Sequence, residues 1–152
     1  MKKTIIGDSL PNMPWEDKPA GCNAVMWRYS KNPVVDKNPI PGVSRIFNSA
    51  LIPYEKAYIG VFRGDRINGM PNLYVGRSKN GIDWEFEKEH IRFVKQDGCA
   101  AEPIGYGYDP RVVKIEGTYY ITWCNFFHGP TIGVAKTYDF KTFVQLENAY
   151  LP

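Results

Sequence analysis

The feature that most constrains this chain is a four-strand grammar written twice. Residues 46–53 and 57–63 are apolar runs separated by Tyr54-Glu55-Lys56, the pattern of a hairpin. Residues 72–77 follow, then the turn Ser78-Lys79-Asn80-Gly81, then 83–87. Asn-Gly is a strong tight-turn dipeptide, because both residues tolerate the left-handed backbone such turns require. The order then recurs: 108–115, the turn Glu116-Gly117, 119–125, 131–136, a turn over 137–142, and 143–147. Asn48 aligns with Asp109 and Ala57 with Thr118 at an offset of 61; Val75 aligns with Val134 and Trp84 with Phe143 at an offset of 59.

Sequential four-strand units repeated at this period predict an all-β fold of the propeller type, with blade-like units over 46–87 and 108–147. Helical periodicity is absent, which argues against a parallel βαβ fold. Fourteen Gly, twelve Pro and 14% aromatic residues suit many short strands. Residues 8–45 are Pro-rich and irregular, and are read as an N-terminal strap with a first strand region around 23–29. The whole of 1–152 is thus expected to be the N-terminal portion of a single propeller domain. Two blades cannot close a ring, so the chain is expected to be a truncated product or a fragment, with open sheet edges that favour association into oligomers.

Several function classes are disfavoured. The net charge of +3 has no basic run behind it, which argues against a nucleic-acid groove. No apolar stretch approaches the ~20 residues that span a bilayer. Asp8 ends the apolar stretch after Lys2-Lys3, so no secretory signal is expected, and the Arg63-Gly64-Asp65 string is not read as an adhesion motif. Cys22, Cys99 and Cys124 match no metal spacing and are read as reduced thiols of a cytoplasmic protein. Neither a metal site nor a cofactor is expected. Phosphate-cradling, HExxH and GxSxG motifs are absent.

In a propeller the innermost strands line a central channel, and the repeat puts Asn48 and Asp109 at equivalent positions near the start of such strands. Each lies among apolar residues, where an unpaired polar group is costly. On pattern alone Asp109 is evenly balanced between a ligand-facing carboxylate and a cap ahead of Pro110. Arg63 and Asp65 are equally readable as a surface ion pair of little energetic weight. Tyr106 and Tyr108 share a strand face; with Trp27 and Trp123 they are sugar-stacking candidates, although most such aromatics are core. His128 reads as a turn residue more readily than as a base.

Seven strings in order resemble glycoside hydrolase family 130, and within it the β-1,4-mannoside phosphorylases. They are 13–19 (MPWEDKP), 27–30 (WRYS), 46–50 (IFNSA), 61–65 (VFRGD), 107–112 (GYDPRV), 122–125 (TWCN) and 128–133 (HGPTIG). The resemblance implies a five-bladed β-propeller, of which this chain would hold the strap and about two blades. It implies inverting phosphorolysis of a β-1,4-mannoside, with manno-oligosaccharide, mannosyl-glucose or mannosyl-N-acetylglucosamine as substrate and inorganic phosphate as co-substrate, giving α-mannose 1-phosphate. Asp109 would be the general acid, working through a hydroxyl of the mannosyl ring. Asn48, Ser49, Arg63, Asp65 and Tyr108 match positions that hold the mannosyl unit.

An inverting hydrolase needs an acid and a base-activated water, with carboxyls ~6.5–9.5 Å apart. A phosphorylase needs only the acid, because phosphate is already an anionic nucleophile held by a cationic pocket. One well-placed Asp is coherent with that chemistry. The family's phosphate-binding residues come mostly from later blades, so none is assignable here and the isolated chain is expected to be inactive. The alternatives are an inverting propeller hydrolase, or a non-enzymatic remnant or carbohydrate-binding half.

Overall fold

The computed structural model describes residue 14, residues 16–126 and residues 129–150. All regular structure among them is β. β1 (Val43–Tyr54), β2 (Ala57–Arg66), β3 (Pro71–Ser78) and β4 (Glu85–Phe86) form one antiparallel sheet in sequence order. β6 (Tyr108–Ile115), β7 (Thr118–Phe126), β8 (Pro130–Thr137) and β9 (Phe143–Gln145) form a second sheet with the same order. β5 (Phe93–Val94) joins the outer side of β9 in parallel, and β10 (Ala149–Tyr150) pairs with β8.

The strands form where the apolar runs predicted them, and the two sheets repeat each other in detail. The β1–β2 and β6–β7 hairpins both turn through left-handed residues, Glu55 in the first and Glu116-Gly117 in the second. After β3, Ser78 Oγ accepts the backbone N–H groups of Asn80 and Gly81, and Asn80 Oδ1 accepts those of Ile82 and Asp83. After β8, Thr137 Oγ1 does the same for Asp139 and Phe140, and Asp139 Oδ1 for Lys141 and Thr142. Short polar side chains here replace the ladder partners that the backbone loses on leaving the sheet.

The core lies between the two sheets. Alternation along β7 turns Tyr119, Ile121 and Trp123 to one face, where they meet Ile59, Val61, Leu73 and Val75 from the centre of the first sheet. β2 and β3 are buried on both faces, as befits central strands. Their other face packs on Ile40 and Val43 through Tyr74. Trp123 lies parallel to Phe93 with ring centroids 4.7 Å apart. A Cβ on Gly133 would fall within 2.2 Å of the Trp123 ring, so only glycine fits there.

Two expectations are corrected. Residues 23–29 contain no strand; the first strand begins at Val43, and the preceding described segment is irregular. No described strand pairs with residues 23–29, so their backbone has no ladder to join. Trp123 is 1% exposed, so it is a core residue and offers no stacking face to sugar.

Candidate functional site

The cluster around Asp109 is assembled by two bulges. The β1–β2 register slips between Phe47 and Ser49, and the β6–β7 register slips between Tyr108 and Arg111. The extra residue is Asn48 in the first case; in the second, Asp109 and Pro110 together face Trp123, and the repeat aligns Asn48 with Asp109. A bulge bends its strand and re-aims a side chain. Asp109 takes a left-handed φ of 50°, uncommon outside glycine but tolerated best by Asp and Asn. Both bulges direct their side chains to one point. Asn48 Nδ2 donates to Asp109 Oδ1 at 2.6 Å.

Arg63 completes the cluster. Positions 63 and 65 of β2 point to the same side of the strand. Arg63 Nε and Nη2 donate to the two oxygens of Asp65 at 2.8 and 3.2 Å, a bidentate pair. Arg63 Nη1 reaches Asp109 Oδ1 at 3.4 Å. The guanidinium also lies 5.2 Å from the Phe47 ring centroid and 5.5 Å from that of Tyr108, so two aromatic rings face the cation. The Asp65 bond, first among several causes, raises the Arg63 pKa, and its charge is fixed. Gly64, between them, sits on the opposite face against the Tyr74 ring, where a Cβ would come within 2.7 Å. The Arg-Gly-Asp string thus has a packing reason at its centre and a polar reason at both ends.

Tyr108 of β6 stands directly opposite Cys124 of β7, and the Cys124 thiol is the leading cause that pushes the phenol above its ordinary value. Its ring meets Tyr106 edge-on at 5.2 Å. Ser49 is exposed, and its hydroxyl donates to the Phe47 carbonyl of its own strand at 3.0 Å. The structure therefore brings together Asn48, Arg63, Asp65, Tyr108 and Asp109, with Ser49 beside them but outside the bonded network. Asn48 is exposed and Asp109 half-buried, so neither is the enclosed polar group that apolar neighbours suggested. Asn48 also lies in the middle of β1 rather than near its start, because β1 extends back to pair Val43 with Arg66. His128 and Trp15 fall outside the described residues; Trp27 is half-buried in the irregular segment.

Sequence reasoning overlooked a cleft of about 920 Å³ on the far side of Tyr108. It runs from Met70 and the 95–106 connection to Asn125 and residues 145–148. Its lining is mostly apolar, from Met70, Ile104, Phe126 and Leu146 among others, with Lys95, Glu102 and Glu147 as charged members; Asn125, buried, accepts from the Thr131 hydroxyl and donates to Asn148 Oδ1 at 3.4 Å. No motif announced it, because its walls come from four separate stretches of chain.

Residues 8–152 match the model of glycoside hydrolase family 130, described as beta-1,4-mannooligosaccharide phosphorylase. The chain is 49% identical to the Beta-1,4-mannooligosaccharide phosphorylase of Ruminococcus albus over 159 residues; the match covers 100% of this chain and 48% of that protein. The chain therefore spans about half the length of this curated relative. Among solved structures it resembles the Beta-1,2-Mannobiose phosphorylase of Listeria innocua, with a TM-score of 0.65, 14% identity, and 83% of this chain and 52% of that one covered. A glycoside hydrolase structure from Bacteroides ovatus gives a TM-score of 0.62 at 20% identity, covering 75% and 38%. At these identities the structural likeness speaks to fold, and the fold is the all-β propeller type, of which the two sheets are blades. The match to the family model over nearly the whole chain, with the close relative beside it, is decisive: this chain belongs to glycoside hydrolase family 130.

Proposed function

We propose that this chain supplies the proton donor and much of the mannosyl site for inverting phosphorolysis of β-1,4-mannosides in the cytoplasm. The observation that carries the reading is the convergence of Asn48 and Arg63 on one oxygen of Asp109 at a bulged, left-handed position. Both neighbours donate to Oδ1, which leaves Oδ2 as the oxygen that can carry a transferable proton. In the reaction, a phosphate oxygen attacks the anomeric carbon from the face opposite the leaving group. The glycosidic C–O bond breaks, and the Asp109 proton passes, through a ring hydroxyl, to the departing oxygen. Asn48, Ser49, Arg63, Asp65 and Tyr108 hold the mannosyl ring, and cationic residues beyond this chain hold phosphate.

A specific contact favours phosphorolysis over hydrolysis. Hydrolysis with inversion needs a second carboxylate to activate water. The other carboxylate of the cluster, Asp65, has both oxygens occupied by Arg63. It is a poor base in that arrangement, which supports a nucleophile that brings its own charge.

The test is to incubate the whole protein with β-1,4-mannobiose, mannosyl-glucose and mannosyl-N-acetylglucosamine, with and without phosphate, and quantify mannose 1-phosphate. Phosphate-dependent release, lost in Asp109→Asn, is expected. Cleavage to free mannose without phosphate would overturn the reading in favour of a hydrolase.

A further inference from the structure

Phe47 borders the Asp109 cluster without a polar side-chain atom to contribute. Its ring is 40% exposed and belongs to neither buried core cluster, so burial does little to explain it. What the ring meets is a cation. Arg63 is its direct partner across the β1–β2 ladder, and the guanidinium carbon lies over the ring, 5.2 Å from its centroid. The bulge allows this. In a regular strand Phe47 and Asn48 would point to opposite faces. The register slip between Phe47 and Ser49 lets Asn48 turn to Asp109 while Phe47 stays opposite Arg63. The second unit repeats the device at the same offset: Tyr108 meets the same guanidinium at 5.5 Å, and Asp109 beside it accepts from Asn48.

The orientation of the guanidinium decides where its third nitrogen donates. Asp65 holds Nε and Nη2 at 2.8 and 3.2 Å, whereas Nη1 reaches Asp109 Oδ1 at the longer 3.4 Å. A hydrogen bond of that length is weak, and a small rotation of the fork would break it. Ring faces attract a cation through their quadrupole and so restrain such a rotation in an otherwise mobile side chain.

We infer that Phe47 is a positioning residue of this site: with Tyr108 it holds the Arg63 guanidinium so that Nη1 stays on Asp109 Oδ1 and Oδ2 is left to carry the proton. The inference rests on the proposed role of Asp109, which it deepens by adding a residue that acts through Arg63 without touching the acid.

Replacing Phe47 in the whole protein by 4-fluoro-, 3,5-difluoro- and 3,4,5-trifluorophenylalanine keeps the shape of the ring while withdrawing charge from its face. For phosphorolysis of β-1,4-mannobiose, kcat/KM is expected to fall stepwise along the series, by about two- to fivefold at the trifluoro ring, the worth of a partly exposed cation–π contact. Phe47→Leu is expected to lose at least as much, and Phe47→Tyr to stay within about twofold of wild type. A flat fluorine series, or equal losses in Phe47→Tyr and Phe47→Leu, overturns the inference and makes the ring a space-filler. The Hε–Nε cross-peak of Arg63 in ¹⁵N-arginine-labelled protein, identified by its loss in Arg63→Lys, reads the same contact without turnover. Phe47→Leu should shift it, through the lost ring current, and speed its exchange with solvent; an unmoved cross-peak also overturns the inference. A shifted cross-peak in a protein that shows no phosphate-dependent cleavage would reject the proposed reaction and keep the aromatic hold on Arg63. Phosphate-dependent cleavage with a flat fluorine series would do the reverse.

Discussion

Asp109, Asn48 and Arg63 illustrate how few atoms carry the site. Asp109→Asn is the informative substitution because Asn tolerates the left-handed φ as well as Asp does, so the bulge is kept while the proton is lost. We expect kcat to fall by about 10²–10⁴-fold, the usual share of general acid catalysis, with thermal stability nearly unchanged. Arg63→Lys removes the bidentate hold on Asp65 and the stacking between Phe47 and Tyr108. The expected result is weaker mannoside binding with a loss of stability of no more than about 1 kcal/mol, since the pair is partly solvated. A melting curve and a Michaelis analysis on the same preparation separate the two. At this scale the sequence was only partly legible. The repeat aligned Asn48 with Asp109, but the turn-cap and ligand readings of Asp109 were equal on pattern, because a bulge leaves no trace in hydrophobic periodicity. Ser49 shows the complementary limit: its position is beside the cluster, yet its hydroxyl turns back to its own strand.

Among the elements, the turns after β3 and β8 are the clearest duplicated device. Asp139 Oδ1 accepts two backbone N–H groups, and these hold its pKa below the ordinary carboxylate value. A group depressed on folding stabilises above its unfolded pKa of about 3.9, and that contribution is lost as pH falls through the lower folded value. Asp139→Ala should therefore cost less than about 1 kcal/mol at neutral pH, because the side chain is exposed and its charge is screened by solvent, and the gap from wild type should narrow below about pH 4 in urea titrations at a series of pH values. Gly133→Ala on β8 should be worse. The new methyl meets the buried Trp123 ring, and overpacking of that kind costs about 1–3 kcal/mol, or abolishes folding. Strand positions were readable from sequence because alternation and turn residues report them directly. The misread strand at 23–29 had apolar residues but no partner strand to receive them. Trp123 was ambiguous for a related reason, because aromatic residues suit cores and sugar sites alike until burial is known.

As a whole, the described chain is two blades sharing one core. Ile59, Val61, Leu73 and Val75 from the first sheet are buried against Tyr119, Ile121 and Trp123 from the second, so neither sheet keeps its inner face dry without the other. Unfolding should be a single transition. Fluorescence from Trp84 in the first unit, isolated by replacing Trp15, Trp27 and Trp123 with Phe, should lose signal at the same denaturant concentration as circular dichroism at β-sheet wavelengths; separated midpoints would show independent blades. The all-β, propeller-type character was legible from the repeat, whereas the cleft was not, since it exists only where four distant stretches meet. The bond between Asn48 and Asp109 has a meaning at this scale. It joins the same position in two copies of one unit, as though a duplicated gene had been folded back to touch itself. Two aspartates there would repel or share a proton, and two asparagines would hold none. Exchanging one terminal oxygen for an NH₂ group makes one twin the acceptor and the other the donor, a division of labour that a repeated unit makes available.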